Sequence, residues 1–303
     1  MTATLPEAKA KPTNLAAALA WIGLVMLSFI AMAVGGREAA KEVSTFEIML
    51  ARSLFLVAVV PLLALAGADG LGQLASRRWP LHTARNLLHF AGQSGWFYAL
   101  AHIPLATVFA IEFTTPIWIA LLAPLILGER MTPGRLIAVV VGFAGALIVI
   151  NPREMTLEAG TLAIIGGAIG YAFSNMLTKK LLATDSPLAV LFVMGLIQTP
   201  LALALSFAFG TMSWPSTPTL LWLLIISIGG LGAHYGMAKA FQLADLTVIA
   251  PMDFLRLPVI AFIGVQVYQE PFQPAVVIGG AVIVAANLLG LLAERRRLRQ
   301  ARS

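Results

Sequence analysis

Apolar runs of about 20 residues recur along this chain from near residue 15 to near residue 293. That is the length at which a helix rising about 1.5 Å per residue crosses roughly 30 Å of hydrocarbon. A soluble core would need helices with polar faces, and few stretches offer one. Hydrophobic residues fill 59% of the 303 positions and charged residues only 11%, so lipid is the expected solvent. The spans are expected at 15 to 36, 45 to 67, 82 to 101, 106 to 127 and 133 to 150, then 160 to 182, 187 to 209, 218 to 241, 247 to 268 and 273 to 293. The longest gap, 68 to 81, is too short to fold alone. There is no Gly-Lys-Ser/Thr phosphate loop, so nucleotide-driven pumping by this chain is not expected. The absence of cysteine excludes disulfides and thiolate chemistry.

A formal charge of +6 suggests nucleic acid until the positions of the charges are read. With the N-terminus in the cytoplasm, that side collects Lys9, Lys11, Arg77, Arg78, Arg85, Arg130, Arg135, Lys179, Lys180, Lys239, Arg295, Arg296, Arg297, Arg299 and Arg302. The other side receives Arg37, Lys41 and Arg153, and Arg52 and Arg256 lie within spans. Fifteen against three is a strong positive-inside bias and puts both termini in the cytoplasm. The basic tail then meets anionic headgroups, and nucleic acid is not an expected partner. Lys9 and Lys11 precede an apolar run reaching Ala31-Met32-Ala33, which looks like a cleavable signal. The run from Leu15 to Val34 is longer than such signals carry, and its removal would leave an unpaired helix, so it is read as the first span.

The chain resembles itself at a shift of 140 to 141 residues. Gly92, Ala106-Thr107-Val108, Ala110, Glu112, Glu129 and Pro133 are matched by Gly232, Leu246-Thr247-Val248, Ala250, Asp253, Glu270 and Pro274. Five helices per copy is an odd number, so the copies must lie in opposite orientations, as in many secondary transporters. The expected division is a cytoplasmic segment at 1–14, a first five-helix repeat at 15–152, a second, inverted repeat at 153–293 and a basic cytoplasmic tail at 294–303. The expected fold is an all-α integral membrane protein, ten transmembrane helices around a central cavity.

The segment from Ala101 to Pro152, with a short turn before the fourth helix, Pro116 inside it and Gly128-Glu129-Arg130 closing it, resembles the EamA repeat of the drug/metabolite transporter superfamily. The second copy carries Gln269-Glu270-Pro271 at the same point, with glutamine in the glycine position. The resemblance covers essentially the whole chain. It implies a metabolite exporter with amino acids as a common substrate class; the alternative is an importer or exporter of another small metabolite, such as a flavin or nucleotide-like compound.

Ionisable groups at bilayer depth are costly, so each is a candidate for function. On the third helix His82, Asn86, His89, Gln93 and Trp96 follow 4, 3, 4, 3 spacing and share a face, read as cavity wall or as a hydrogen-bonded seam. The sixth helix offers Tyr171, Ser174 or Asn175, and Thr178. The eighth offers His234 or Tyr235, Lys239 and Gln242. Arg52 and Glu112 lie at similar depth and could pair, and Asp253 and Arg256 are three apart on one helix face. For a zwitterion, Glu112 and Asp253 would accept from the ammonium, while Arg52, Arg256 and backbone groups freed by Pro116 or Pro258 would supply donors to the carboxylate. Glu129 and Glu270 end equivalent helices at opposite faces and are read as gates, cytoplasmic and periplasmic respectively. Pro116 and Pro258 are read as helix kinks. No cofactor or metal is expected, and the chain is expected to act as a monomer in the bilayer.

Two rival classes remain. Gly92-Gln93-Ser94-Gly95 and Ala233-His234-Tyr235-Gly236 are similar to the serine and histidine segments of rhomboid intramembrane proteases, although such short matches arise easily in glycine-rich helices. A channel would need only a polar path, and leaves the repeat unexplained.

The charge distribution makes a direct test. In this cysteine-free chain, cysteine at Ser216 reacts with an impermeant maleimide in intact spheroplasts, while cysteine at Ser303 does not. The reverse labelling pattern would invert the topology.

Overall fold

The computed structural model describes residues 15–126, 133–150, 158–210, 212, 214–243 and 255–300. The regular elements among them are all helical: α1 Leu15–Ala39, α2 Thr45–Ala66, a 3-10 turn Gly70–Leu74, α3 Trp79–His102, α4 Leu105–Glu112, α5 Thr115–Ile126, α6 Pro133–Ile150, α7 Ala159–Leu181, α8 Pro187–Phe209, α9 Thr217–Leu243, α10 Arg256–Tyr268 and α11 Pro274–Gln300. Local signals set several ends. Ser44 and Glu47 form a reciprocal capping box at the start of α2. Ser186 accepts from the Ala189 amide at 2.9 Å at the start of α8, where Pro187 opens the helix. Gln269 closes α10 in the left-handed region, φ 55°, and the Glu270 amide donates to the Gly264 carbonyl at 3.0 Å. A glycine would take this conformation without the side-chain penalty that Gln269 carries.

The bundle is apolar outside as well as inside. Leu62, Leu125, Phe207, Phe209 and Phe262 are exposed, while Trp96, Phe97 and Phe109 are fully buried, as expected of a bundle whose solvent is lipid. Length and composition single out α1, α2, α4 with α5, α7, α8 and α9 as able to cross a membrane. Leu136–Ile150 in α6, Arg256–Tyr268 and Pro274–Gly290 in α11 are apolar but shorter. α3 has the length but carries His82, Arg85, Asn86, His89 and Gln93, which lower its mean hydropathy.

One expectation is corrected here. The fourth span is not one helix: it breaks at Phe113 and Thr114 into α4 and α5. Pro116 lacks the N–H that would bond the Glu112 carbonyl, and the Thr115 hydroxyl donates to that carbonyl instead, at 2.7 Å. Thr114 likewise donates to the Ile111 carbonyl at 2.6 Å, and Asn287 of α11 to the Phe113 carbonyl at 2.9 Å. Pro116 is thus the second residue of a helix rather than a bend within one, and Pro258 is the third residue of α10. α11 runs on to Gln300, because no glycine or proline stops it after Gly290.

The chief packed pairs are α1 with α9, α2 with α8, α3 with α7 and α6 with α11; α5 also packs on α7, α2 on α9 and α4 on α10. Glycines let two of these pairs meet backbone to backbone. A Cβ on Gly92 would lie 3.1 Å from the Gly167 carbonyl oxygen, and one on Gly167 equally close to that of Gly92. At Gly145 and Gly279, joining α6 to α11, the corresponding distances are 2.9 and 2.6 Å. In membranes such close approach replaces the missing hydrophobic drive with dispersion contacts.

The tightest approach to a backbone atom is at Gly95, where a Cβ would stand 2.3 Å from the Ala163 carbonyl oxygen. Gly95→Leu therefore forces α3 from α7 and costs roughly 2–4 kcal/mol, on the scale of overpacking with backbone displacement. Thermal unfolding in detergent should show a large fall in Tm for Gly95→Leu. A change of Gly166, whose Cβ would meet nothing within 4 Å, should leave it nearly unaltered.

Candidate functional site

At the middle of the bundle α3, α4, α7, α8, α9 and α10 bring polar side chains together inside an aromatic shell. The Trp96 indole donates to one oxygen of Glu112 at 2.7 Å. The other oxygen of Glu112 lies 3.7 Å from a nitrogen of Arg256, and the two side chains are 11% and 3% exposed. Arg256 stacks over Phe29 at 4.0 Å and also faces Phe113 at 5.2 Å and Phe109 at 5.6 Å. A buried guanidinium tolerates its desolvation through such contacts together with a carboxylate. Beside this group the His89 ring lies 5.6 Å from Tyr171 and 5.7 Å from His234, and Gln198 approaches His89 Nδ1 at 3.3 Å. Arg52 of α2 lies over the Phe97 ring at 5.5 Å.

The polar stripe of α3 divides into two parts. Toward its first turns it is a hydrogen-bonded seam: His82 pairs with Asp185 at 2.7 Å, Arg85 donates to Thr178 at 3.0 Å and to Asn86 at 2.9 Å, and Asn86 donates to the His82 carbonyl at 2.9 Å. Burial alone would raise the pKa of Asp185, but hydrogen bonds from Ser76, His82 and Thr184 outweigh it and hold the group below its ordinary value. Deeper along α3, His89, Gln93 and Trp96 belong to the centre. All three are buried.

Both ends of the bundle are tied. Where α3 begins, Arg78 donates to the Lys180 carbonyl at 2.6 Å, and Lys180 to the Ile126 carbonyl at 2.8 Å. At the other end Glu270 accepts from the Leu105 amide at 3.0 and 3.1 Å, capping α4, and pairs with Arg37 of α1. Arg37 in turn donates to the Ile103 carbonyl and, at 2.6 Å, to the Leu100 carbonyl, closing the last turn of α3. A cleft of about 530 Å³ lies against this knot, lined by Arg37, Lys41, His102 and Glu270.

Of the residues chosen from sequence, His89, Gln93, Trp96, Glu112, Tyr171, His234, Arg256 and Arg52 lie in or around this centre. The expected Arg52–Glu112 pair does not form, because α2 packs on α8 and α9 whereas α4 packs on α10, which delivers Arg256 to Glu112. Tyr235 turns instead to Trp21 of α1, with ring centroids 5.9 Å apart, and takes Lys239 over its face at 5.4 Å. Asn175 is exposed, one position from the buried Ser174. Asp253 and Glu129 lie outside the described residues. Gln198 and Phe29 were not singled out, since a lone glutamine or phenylalanine in an apolar helix carries no spacing signal.

The chain matches the EamA-like transporter family twice, over residues 16–151 and 158–292. It is 32% identical over 269 residues to the riboflavin transporter of Brucella anthropi, covering 86% of this chain and 93% of that protein. To the S-adenosylmethionine uptake transporter of Rickettsia prowazekii it is 25% identical over 280 residues, covering 92% and 94%. A solved crystal structure shares the fold with a TM-score of 0.66 at 20% identity, covering 93% of this chain and 98% of that one. The protease alternative falls with these relatives, and Gly92 and Gly95 of its motif are packing positions against α7. The chain belongs to the EamA-like transporter family and is a multi-pass, all-helical membrane protein that transports small metabolites.

Proposed function

We propose that this chain carries a flavin, riboflavin or a close analogue, across a bacterial inner membrane by alternating access between two inverted five-helix repeats. The observation that carries the substrate reading is the make-up of the centre: aromatic faces from Trp96, Phe97 and Phe109, amides from Gln93 and Gln198, and a carboxylate already held by Trp96 and Arg256. A neutral planar heterocycle needs stacking faces and a few hydrogen bonds, and brings no charge to be compensated. The relatives named for riboflavin agree with it.

Amino-acid export, the substrate class expected from the family resemblance, is not supported: the relatives are named for riboflavin and S-adenosylmethionine. Physically, a zwitterion needs an acceptor for its ammonium, and Glu112 is already engaged by Trp96 and Arg256. A cationic sulfonium fits less well than a flavin, because the described centre holds the guanidiniums of Arg52 and Arg256 against the single carboxylate of Glu112.

Support for the inverted repeat comes from the pairing. Counting α4 and α5 as one span, the four most extensive packed pairs are one with eight, two with seven, three with six and five with ten. Exchanging every span for the one five places away returns the same set, as a twofold axis in the membrane plane requires. The two halves complete the site within one chain, so a monomer suffices. With both termini cytoplasmic, the Arg37–Glu270 knot is the periplasmic gate, and the ties of His82 and Arg78 close the cytoplasmic side. Glu129 is the cytoplasmic counterpart of Glu270.

In proteoliposomes the purified chain should show saturable riboflavin counterflow, uncompeted by amino acids. Trp96→Ala should weaken it roughly tenfold or more, the scale of one stacked ring and one charged hydrogen bond. Exchange of S-adenosylmethionine or amino acids without riboflavin would overturn the substrate reading, and single-channel conductance would overturn the carrier.

For the gate, Glu270→Gln removes the charge from the Arg37 pair, at a cost of roughly 1.5–3 kcal/mol to the closed end. A cysteine at Thr107, buried behind Glu270, should then label faster from the periplasmic side. Unchanged labelling and unchanged exchange would make Glu270 a helix cap only.

A further inference from the structure

Arg52 differs from the other intramembrane arginines. Arg85 donates to Thr178 and Asn86, and Arg256 lies against Glu112 inside its aromatic cage. Arg52 is 5% exposed, its Nε is buried with no hydrogen-bond partner, and it makes no ion pair among the described residues. Its guanidinium lies over Phe97, an interaction that uses the face of the group and not its in-plane donors. The chain makes room for it: a Cβ on Gly230 of α9 would stand 2.6 Å from one terminal nitrogen and 3.1 Å from Nε. Buried against Phe97 of α3 and Gly230 of α9, it faces the inside of the bundle rather than the lipid. A buried donor without an acceptor calls for an explanation, and a ligand that brings the acceptor is one.

We propose that Arg52 is the group that reads the substrate: its planar fork takes the adjacent acceptors of a pyrimidinedione edge, the ring carbonyl and neighbouring nitrogen of a flavin, and rejects cationic heterocycles. This rests on the flavin reading above and adds which side chain sets specificity and which atoms it recognises. Stacking on Phe97 fixes the plane of the fork, and the missing side chain at Gly230 leaves space along one edge. A lysine would keep the charge but lose the two-pronged geometry.

The test crosses residue changes with atom changes in the substrate. Counterflow and binding are measured for the wild type, Arg52→Lys and Arg52→Gln with riboflavin, 2-thioriboflavin and 4-thioriboflavin, sulfur being the weaker acceptor. In the wild type, sulfur at the recognised carbonyl should weaken binding by roughly tenfold, the scale of one charged hydrogen bond. In Arg52→Gln that ratio should collapse toward one, and in Arg52→Lys it should fall part way. A merely structural arginine would lower all three flavins together and leave the ratios as in the wild type, which overturns the proposal while sparing the flavin reading. Absence of riboflavin exchange by the wild type overturns both. If Arg52→Gln is not monodisperse in detergent, Arg52→Lys decides by the same ratio.

Discussion

Glu112 and Arg256 come from segments more than 140 residues apart and meet where neither could stand alone. An isolated charge in hydrocarbon is costly, and a buried pair is tolerated only when its remaining donors and acceptors are met. Here Trp96 takes part of the carboxylate, and three phenylalanines face the guanidinium. Everything around the pair follows from keeping it dry. α4 must pack on α10, α4 must end where Glu112 can reach inward, and the helices outside must present leucine and phenylalanine to lipid.

The amount of backbone contact in the bundle has the same origin. Lipid gives helices no hydrophobic reason to associate, so they associate where small residues allow close approach. The α3–α7 seam at Gly92, Gly95 and Gly167 and the α6–α11 crossing at Gly145 and Gly279 are such places. Polar ties then fix rotation: Arg85 to Thr178 along the first seam, and Asn287 to the broken turn at Phe113. Packing supplies the attraction, and hydrogen bonds supply the register.

Much of this was legible before any coordinates. Apolar runs located the helices to within a few residues, because length and hydropathy are properties of one segment at a time. The polar face of α3 was legible for the same reason, since 3.6-residue periodicity is local. Partners were harder, because pairing depends on which helices pack together. Depth alone suggested Arg52 for Glu112, whereas packing delivered Arg256. The break after Glu112 was hidden because Pro116 could equally have bent an unbroken helix; Thr114 and Thr115 supply the hydroxyls that let it end. The substrate was the least legible feature, since a site for a neutral ring is built from residues that look like core.

α4 spans only eight residues, about 12 Å at the usual rise per residue. So short a helix is marginal by itself and depends on what holds its ends. Its first amide is held by Glu270, and its last residue is the carboxylate of the central pair. The segment is therefore a strut two turns long, anchored at the rim by a cap from the other half of the chain and at the hub by the carboxylate that meets Arg256.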